Sequence, residues 1–359
     1  MKAIKKAQRN VNHVRKNKSL TGTKITLRKG VLFLFVLLFL NCLYSQNTFA
    51  KERQKSGLDK ISWASKPVLS SYACQLYKKG GKRGAQRLDI KLTIERLKEQ
   101  NMNTYVYLIW HNPETDWMDL KLFLPEARKA GIDVWVYMVP PSETSFGNPR
   151  FKDPEPFKLD YMRWARELAK LSLTHPNLKA WVMDDFNSNL WLFTPAYIKK
   201  MTRGSKAINP DFGFLPLLYF SQVNEKFAKK YHGCIDGIIS ADIPYKQGKV
   251  RAKGGGRNMA ETSEIDEKYA LAEIHRMSQI LGDIPLLLMP RTSSRLHNMY
   301  YGVPLTEDRL YKLTKISLES ISRGDTVGIV LYRASLLPDC FTYKATKRAC
   351  GEFIKETKQ

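Results

Sequence analysis

From residue 66 onward the chain alternates short β-branched or aromatic apolar runs with longer amphipathic runs, and it does so eight times. The predicted strands are 67–76, 103–110, 133–139, 179–184, 213–219, 236–240, 285–289 and 326–332. The helical patterns that follow them are 89–99, 118–130, 160–173, 195–208, 225–231, 264–281, 306–322 and 342–355. Apolar residues in these recur at spacings of three and four, as in Ile90, Ile94 and Leu97, which places them on one helix face. Gly131, Gly282 and Gly324 stand where helices should end, and Thr194-Pro195 and Thr306 where they should begin. Eight strand-helix units in one chain predict an α/β fold, a (β/α)8 TIM barrel forming a single domain. An open doubly wound sheet is the rival, but no GxGxxG follows the first strand and no Walker lysine motif occurs.

The chain has 359 residues and a formal charge of +25, which would ordinarily raise nucleic acid as a partner. Much of that charge is local. Residues 1–30 hold ten Lys and Arg and no acid, an apolar core follows at 31–44, and Thr48-Phe49-Ala50 offers a small-x-small exit. That order reads as a signal peptide over 1–50, because the apolar core is shorter than the roughly 20 residues that span a bilayer. Cleavage after Ala50 leaves a formal +15. The expected localisation is secreted or periplasmic, with no stable membrane span after processing; an uncleaved membrane anchor is the alternative. Residues 51–65 read as a polar lead-in and 66–359 as the barrel. No recognition helix or basic aromatic motif accompanies the charge, so no nucleic acid is expected. Cys74, Cys234, Cys340 and Cys350 allow one or two disulfides or none, and without CxxC or a His/Cys cluster neither a metal nor a cofactor is expected.

In a barrel of this kind chemistry gathers where strands run into the following loops. Those positions offer Gln75 and Tyr77, Trp110 and His111, Glu143, Asp184 with Asp185 and Asn187, Tyr219, Asp242 and Tyr245, Arg291, and Tyr332 with Arg333. Asp184-Asp185 is the sharpest feature. Two adjacent carboxylates closing an apolar strand are costly to ionise together, so one can remain an acid beside a base near neutral pH. Successive strand residues face opposite ways, so both reach the cavity only if the strand ends or bulges there. The competing structural reading is that one of the pair caps the next turn. Asn187 is a candidate hydrogen-bond partner, and Glu143, in Pro140-Pro141-Ser142-Glu143, is a candidate second acid or a solvated loop residue. Trp110, Tyr219, Tyr245 and Tyr332 are candidate sugar platforms or packing, and His111 a polar rim residue. Arg291 and Arg333 suit a carboxylate, sulfate or phosphate, or else pair internally with Asp242 or Asp184. The glycine-rich basic loops 78–84 and 253–257 read as solvated or as lids.

The eight-unit pattern with an acidic pair closing the fourth strand resembles the glycoside-hydrolase-type TIM barrels of secreted bacterial proteins. The pair itself is similar to the Asp-Asp or Asp-Glu pair of substrate-assisted N-acetylhexosaminidases. That resemblance implies that Asp184 orients the substrate's acetamido group and that Asp185 is the general acid/base. The chitinase-like DxxDxDxE run is missing. The leading expectation is a secreted glycoside hydrolase acting on a glycan that carries an anionic group. A non-catalytic glycan or cell-envelope binding protein and a phosphate-handling barrel enzyme are the alternatives.

Overall fold

The structure, a computed structural model, describes residues 61–80, 82, 85–243, 266–292 and 306–358, all within the compact unit Ala50–Gln359. Eight parallel strands close a barrel in chain order: β1 Val68–Tyr72, β2 Thr104–Ile109, β3 Asp133–Met138, β4 Leu178–Met183, β5 Gly213–Tyr219, β6 Ile238–Ala241, β7 Leu286–Met289 and β8 Gly328–Tyr332. The β1–β8 ladder, from Val68 beside Gly328 to Tyr72 beside Tyr332, completes the ring. Eight helices follow the strands among the described residues: α1 Ile90–Glu99, α2 Asp116–Lys129, α3 Tyr161–Thr174, α4 Pro195–Lys206, α5 Glu225–Tyr231, α6 Glu267–Leu281, α7 Glu307–Ser322 and α8 Phe341–Lys358.

Every predicted strand and helix is present, and differences fall at the ends. The first strand stops at Tyr72, short of Leu76, because Ala73 and Cys74 both adopt a left-handed backbone (φ 55° each) that breaks the pleat. Helix starts follow local chemistry. The side chains of Asp89, Asp160, Thr194, Asn224, Asp266 and Thr306 each accept a hydrogen bond from the N–H three residues on, satisfying a donor the helix cannot. The predicted end at Gly282 has φ 62°, which a residue with a Cβ adopts only at a cost.

Side-chain alternation divides the core in two. Val106, Leu108, Trp135, Tyr137, Ala180 and Val182 fill the barrel interior, while Tyr105, Tyr107, Val136, Trp181 and Met183 pack outward against the helices. Trp63, just before β1, stoppers the barrel floor. Its ring meets Trp135 edge-on at 5.3 Å and 82°, and its indole N–H donates to the Asp236 carbonyl at 3.1 Å. Gly213 and Gly237 make the room, since a Cβ at either would fall 2.7 or 2.9 Å from the Trp63 ring. All four cysteines of the barrel unit are free thiols.

Candidate active site at the barrel mouth

The strand period aims residues at this mouth. Ala180 and Val182 point into the barrel, so the next inward position of β4 is Asp184, and Asp185 should point away. The strand instead ends at Met183. Asp184 still donates its N–H to the Met138 carbonyl at 3.0 Å, whereas Asp185 turns left-handed at φ 34°, its N–H donating to Asp184 Oδ1 at 2.8 Å. Asp242 after β6 (φ 66°) and Arg333 after β8 (φ 53°) use the same turn. Outside glycine such a backbone costs about 1–2 kcal/mol per residue. With Ala73 and Cys74, five of the seven non-glycine residues that bear it among the described residues stand where strands meet their following loops. Strain held so locally makes this rim the candidate site.

Glu143 closes a 3-10 turn, Pro141–Glu143, after β3, and hydrogen-bonds the Asp184 carboxylate. Burial is the main force on both acids. It pushes Glu143 up to about 9, helped by the charges of Asp184 and Asp185, and Asp184 up to about 7, helped by Asp185. The Tyr137 hydroxyl, the Asp185 N–H and the Glu143 carboxyl each pull Asp184 back down. Burial and mutual repulsion therefore favour a protonated carboxyl within the Glu143–Asp184 pair near neutral pH. Burial also raises Asp185, against the Tyr219 hydroxyl that bonds it and the positive charge of Arg291. Its Oδ1 has no partner among the described residues.

Tyrosines line the mouth around these acids. Tyr72 lies 4.1 Å from Tyr137 and 5.5 Å from Tyr332, ring centre to ring centre. Burial and then the Asp184 charge hold Tyr72 and Tyr137 well above the usual phenol range, so both stay protonated donors. The Tyr137 hydroxyl is wholly buried beside Asp184.

The other predicted site residues spread around this centre. Tyr219 reaches Asp185, while Tyr332 joins the tyrosine wall and is hydrogen-bonded by Arg333. Arg291 forms an ion pair with Asp242 through its Nε. Arg333 has no carboxylate partner among the described residues. Trp110 stacks on His111 at 4.5 Å, meets Phe151 edge-on and donates its indole N–H to the Lys152 carbonyl at 3.2 Å. Partial burial and then Arg333 hold the His111 imidazole below its usual value, hence neutral at pH 7. The turn is fixed by Asp116, whose Oδ2 accepts the N–H groups of Trp110 and Asn112 at 2.9 and 3.0 Å. Gln75 donates to the Leu108 carbonyl at 2.8 Å, and Tyr77 bridges to Leu88. Tyr245, the loop 253–257, and Gly81, Arg83 and Gly84 of the loop 78–84 lie outside the described residues.

Asn187 is half-buried in the 3-10 turn Phe186–Asn189, and the tie expected of it is made by Asn189. The Asn189 Oδ1 accepts the Ser142 N–H at 3.2 Å, and its Nδ2 donates to Ser142 Oγ at 3.0 Å and to the Asp185 carbonyl at 3.1 Å. One buried amide thus locks the Glu143 turn to the Asp184-Asp185 turn. Sequence reading missed Asn189, Tyr72 and Tyr137. The tyrosines carried a signal, since both hold inward parity at the ends of strands, but so does any core residue. Among the described residues no group of three or more His, Cys, Asp or Glu side chains is arranged to hold a metal.

No protein-family model matches the chain, and no curated protein matches it in sequence. Solved structures do resemble it. An alpha-L-fucosidase isoenzyme 2 from Paenibacillus thiaminolyticus gives a TM-score of 0.51 at 11% identity, over 81% of this chain and 50% of its own. A GH2 beta-galacturonidase from Eisenbergiella tayi gives 0.49 at 12% identity, over 80% and 51%. A glycoside hydrolase family 5 enzyme from Prevotella bryantii gives 0.49 at 10%, over 82% and 97%. The chain spans about half the length of the first two. At such identities the likeness is one of fold, a barrel that glycoside hydrolases also use.

Proposed function

We propose that the protein is a glycan-acting hydrolase whose general acid is Glu143, with Asp184 as the carboxylate that shares its proton. The observation that carries this reading is the buried Glu143–Asp184 pair in a tyrosine-walled barrel mouth, its two turns tied together by Asn189, where burial raises both carboxyls and Glu143 the further. A group that must protonate a leaving glycosidic oxygen has to hold its proton at working pH, and this one does. The resemblance to substrate-assisted hexosaminidases would give the acid role to Asp185. Burial raises Asp185 as well, but Tyr219 and Arg291 oppose that rise, whereas the carboxylates around Glu143 add to its own; this favours Glu143 over Asp185 as the acid. A hydrogen-bonded carboxyl pair is closer than the roughly 5–5.5 Å of retaining or roughly 6.5–9.5 Å of inverting pairs. Glu143 and Asp184 therefore act as one acid unit. Asp185 is left to orient or stabilise the opposite side of the sugar, or to hold an acetamido group there.

An anionic group on the substrate would fall to Arg333, because Arg291 is engaged by Asp242. The basic head and apolar core of residues 1–50 support export of the enzyme to meet a polymeric glycan outside the cytoplasm. No helix among the described residues is long and apolar enough to cross a membrane.

The test is a screen of the purified protein against chromogenic glycosides and bacterial or algal polysaccharides, followed by Glu143→Gln and Asp184→Asn on the responsive substrate. Each variant should lose on the order of 10²- to 10⁴-fold in rate while keeping the wild-type melting temperature or exceeding it. Full activity in Glu143→Gln would remove it from the acid role. Binding without turnover across the screen would favour a non-catalytic glycan-binding protein.

A further inference from the structure

The two turns that carry the acids also carry an exposed aromatic pair that the proposed chemistry does not use. Phe146, three residues beyond Glu143, is 66% exposed, and Trp191, beyond the Asp184-Asp185 turn, is 62% exposed. Their rings stack at 5.6 Å and 25°. Large aromatics left in water at this level are costly, and their setting is rigid. The Asn189 amide clamps the two turns together, and Gly147 is pressed against Ser142, where a Cβ would lie 2.3 Å from the Ser142 carbonyl oxygen.

The surroundings point to what covers them. In a chain that is 26% charged, the stretches 144–149 and 186–198 contain no Asp, Glu, Lys or Arg. Those stretches carry Ser145, Asn148, Asn187 and Ser188, short hydroxyl and amide side chains that exchange hydrogen bonds with hydroxyl groups, with Ser145 Oγ already donating to Asp153 Oδ1 at 2.7 Å and Asn148 Oδ1 accepting the Arg150 N–H at 3.0 Å. Arg150 and Lys152 are exposed further along the same loop, but Asp153 bonds Ser145 among them, so the patch lacks the uniformly basic edge that a membrane surface or an acidic partner would need. A neutral sugar is met by flat rings against its C–H face and uncharged polar groups at its edge.

Resting on the hydrolase reading, we propose that Phe146 and Trp191 form a glycan subsite outside the acid pocket, so that the substrate is a chain whose neutral sugar units extend from Glu143 and Asp184 across the loops after β3 and β4. The enzyme would then cleave within a polymer or close to its end while gripping units away from the scissile bond.

Affinity electrophoresis of the full chain in gels containing hydroxyethyl cellulose, glucomannan, glycol chitin or laminarin tests this without turnover. Wild type should be retarded by at least one neutral polysaccharide. Trp191→Ala and Phe146→Ala should weaken that retention roughly 3- to 10-fold, and Leu173→Ala, an exposed apolar residue of α3 outside both turns, should leave it intact. Because both rings are exposed, loss of fold does not confound the comparison. Trp191-dependent retention in a protein that hydrolyses nothing would uphold the subsite and remove the hydrolase reading. Hydrolysis with retention that ignores both substitutions would do the reverse. Absence of retention by all four polymers would overturn the subsite, as would a Trp191-dependent shift from dimer to monomer or release from phosphatidylcholine vesicles.

Discussion

The two ends of the barrel are made from the same eight strands, yet they treat polar groups in opposite ways. At the floor, three acids near Trp63 each have a side-chain partner: Asp236 meets Lys206 at 2.8 Å, Asp283 meets His232 at 3.2 Å and Asp325 meets His275 at 2.7 Å. A cleft of about 540 Å³ opens there between Ile61–Trp63 and the loops entering β6, β7 and β8, and these pairs leave its acids matched. At the mouth, Asp184 and Asp185 raise the cost of ionising Glu143, Asp185 raises that of Asp184, and the backbone around them is strained. Matched charges and close packing serve stability. Crowded charges cost stability, and such clusters concentrate at functional sites.

The largest effect that could break this contrast is at the floor. Trp63→Ala should cost about 3–5 kcal/mol of stability, the usual range for a fully buried Trp, because nothing nearby can refill the gap. Its surviving folded fraction should keep the wild-type pH profile on the responsive substrate. Chemical denaturation and initial rates check both halves, and an altered pH profile would mean that the floor shapes the mouth.

The contrast also predicts a gain in stability at the mouth. Glu143 is raised well above the ordinary carboxyl value in the folded chain, so the folded state holds a proton that the unfolded state has released. Stability should therefore fall as pH rises from near the unfolded value towards about 9, where the folded group also ionises. Removing the titration with Glu143→Gln should raise the melting temperature at pH 8 by a few degrees, at roughly 2–4 °C per kcal/mol, and far less at pH 4. Scanning calorimetry at the two pH values decides it, and a uniform loss at both would make Glu143 a structural residue.

The smallest expected effect concerns Arg333. If it meets an anionic sugar, Arg333→Ala should weaken binding of a uronate-containing oligosaccharide several-fold at low salt and little at high salt, and leave a neutral counterpart unchanged. Titration calorimetry at two ionic strengths reads this. Equal affinity for charged and neutral ligands in wild type and variant would return Arg333 to bonding Tyr332 alone.

The sequence by itself determined the barrel. Alternation with period two in the strands and spacings of three and four in the helices are local properties, and eight repeats leave few ways to bury every apolar face at once. It also placed Asp184, Asp185, Glu143, Tyr219 and Tyr332 at strand ends, because parity and loop position can be counted along a chain. It could not show which of these groups touch. Glu143 meets Asp184 only because β3 and β4 are neighbours, and Asn189 fixes the distance by bonding across the same two loops. Asp185 joins them through a left-handed turn that strand parity argues against, Tyr72 and Tyr137 come together only when the ring closes, and Arg291 finds Asp242 one strand away. Protonation depends on burial and on charges brought near by the fold. The grouping of the rim acids, unlike their positions along the chain, was therefore decided by tertiary structure.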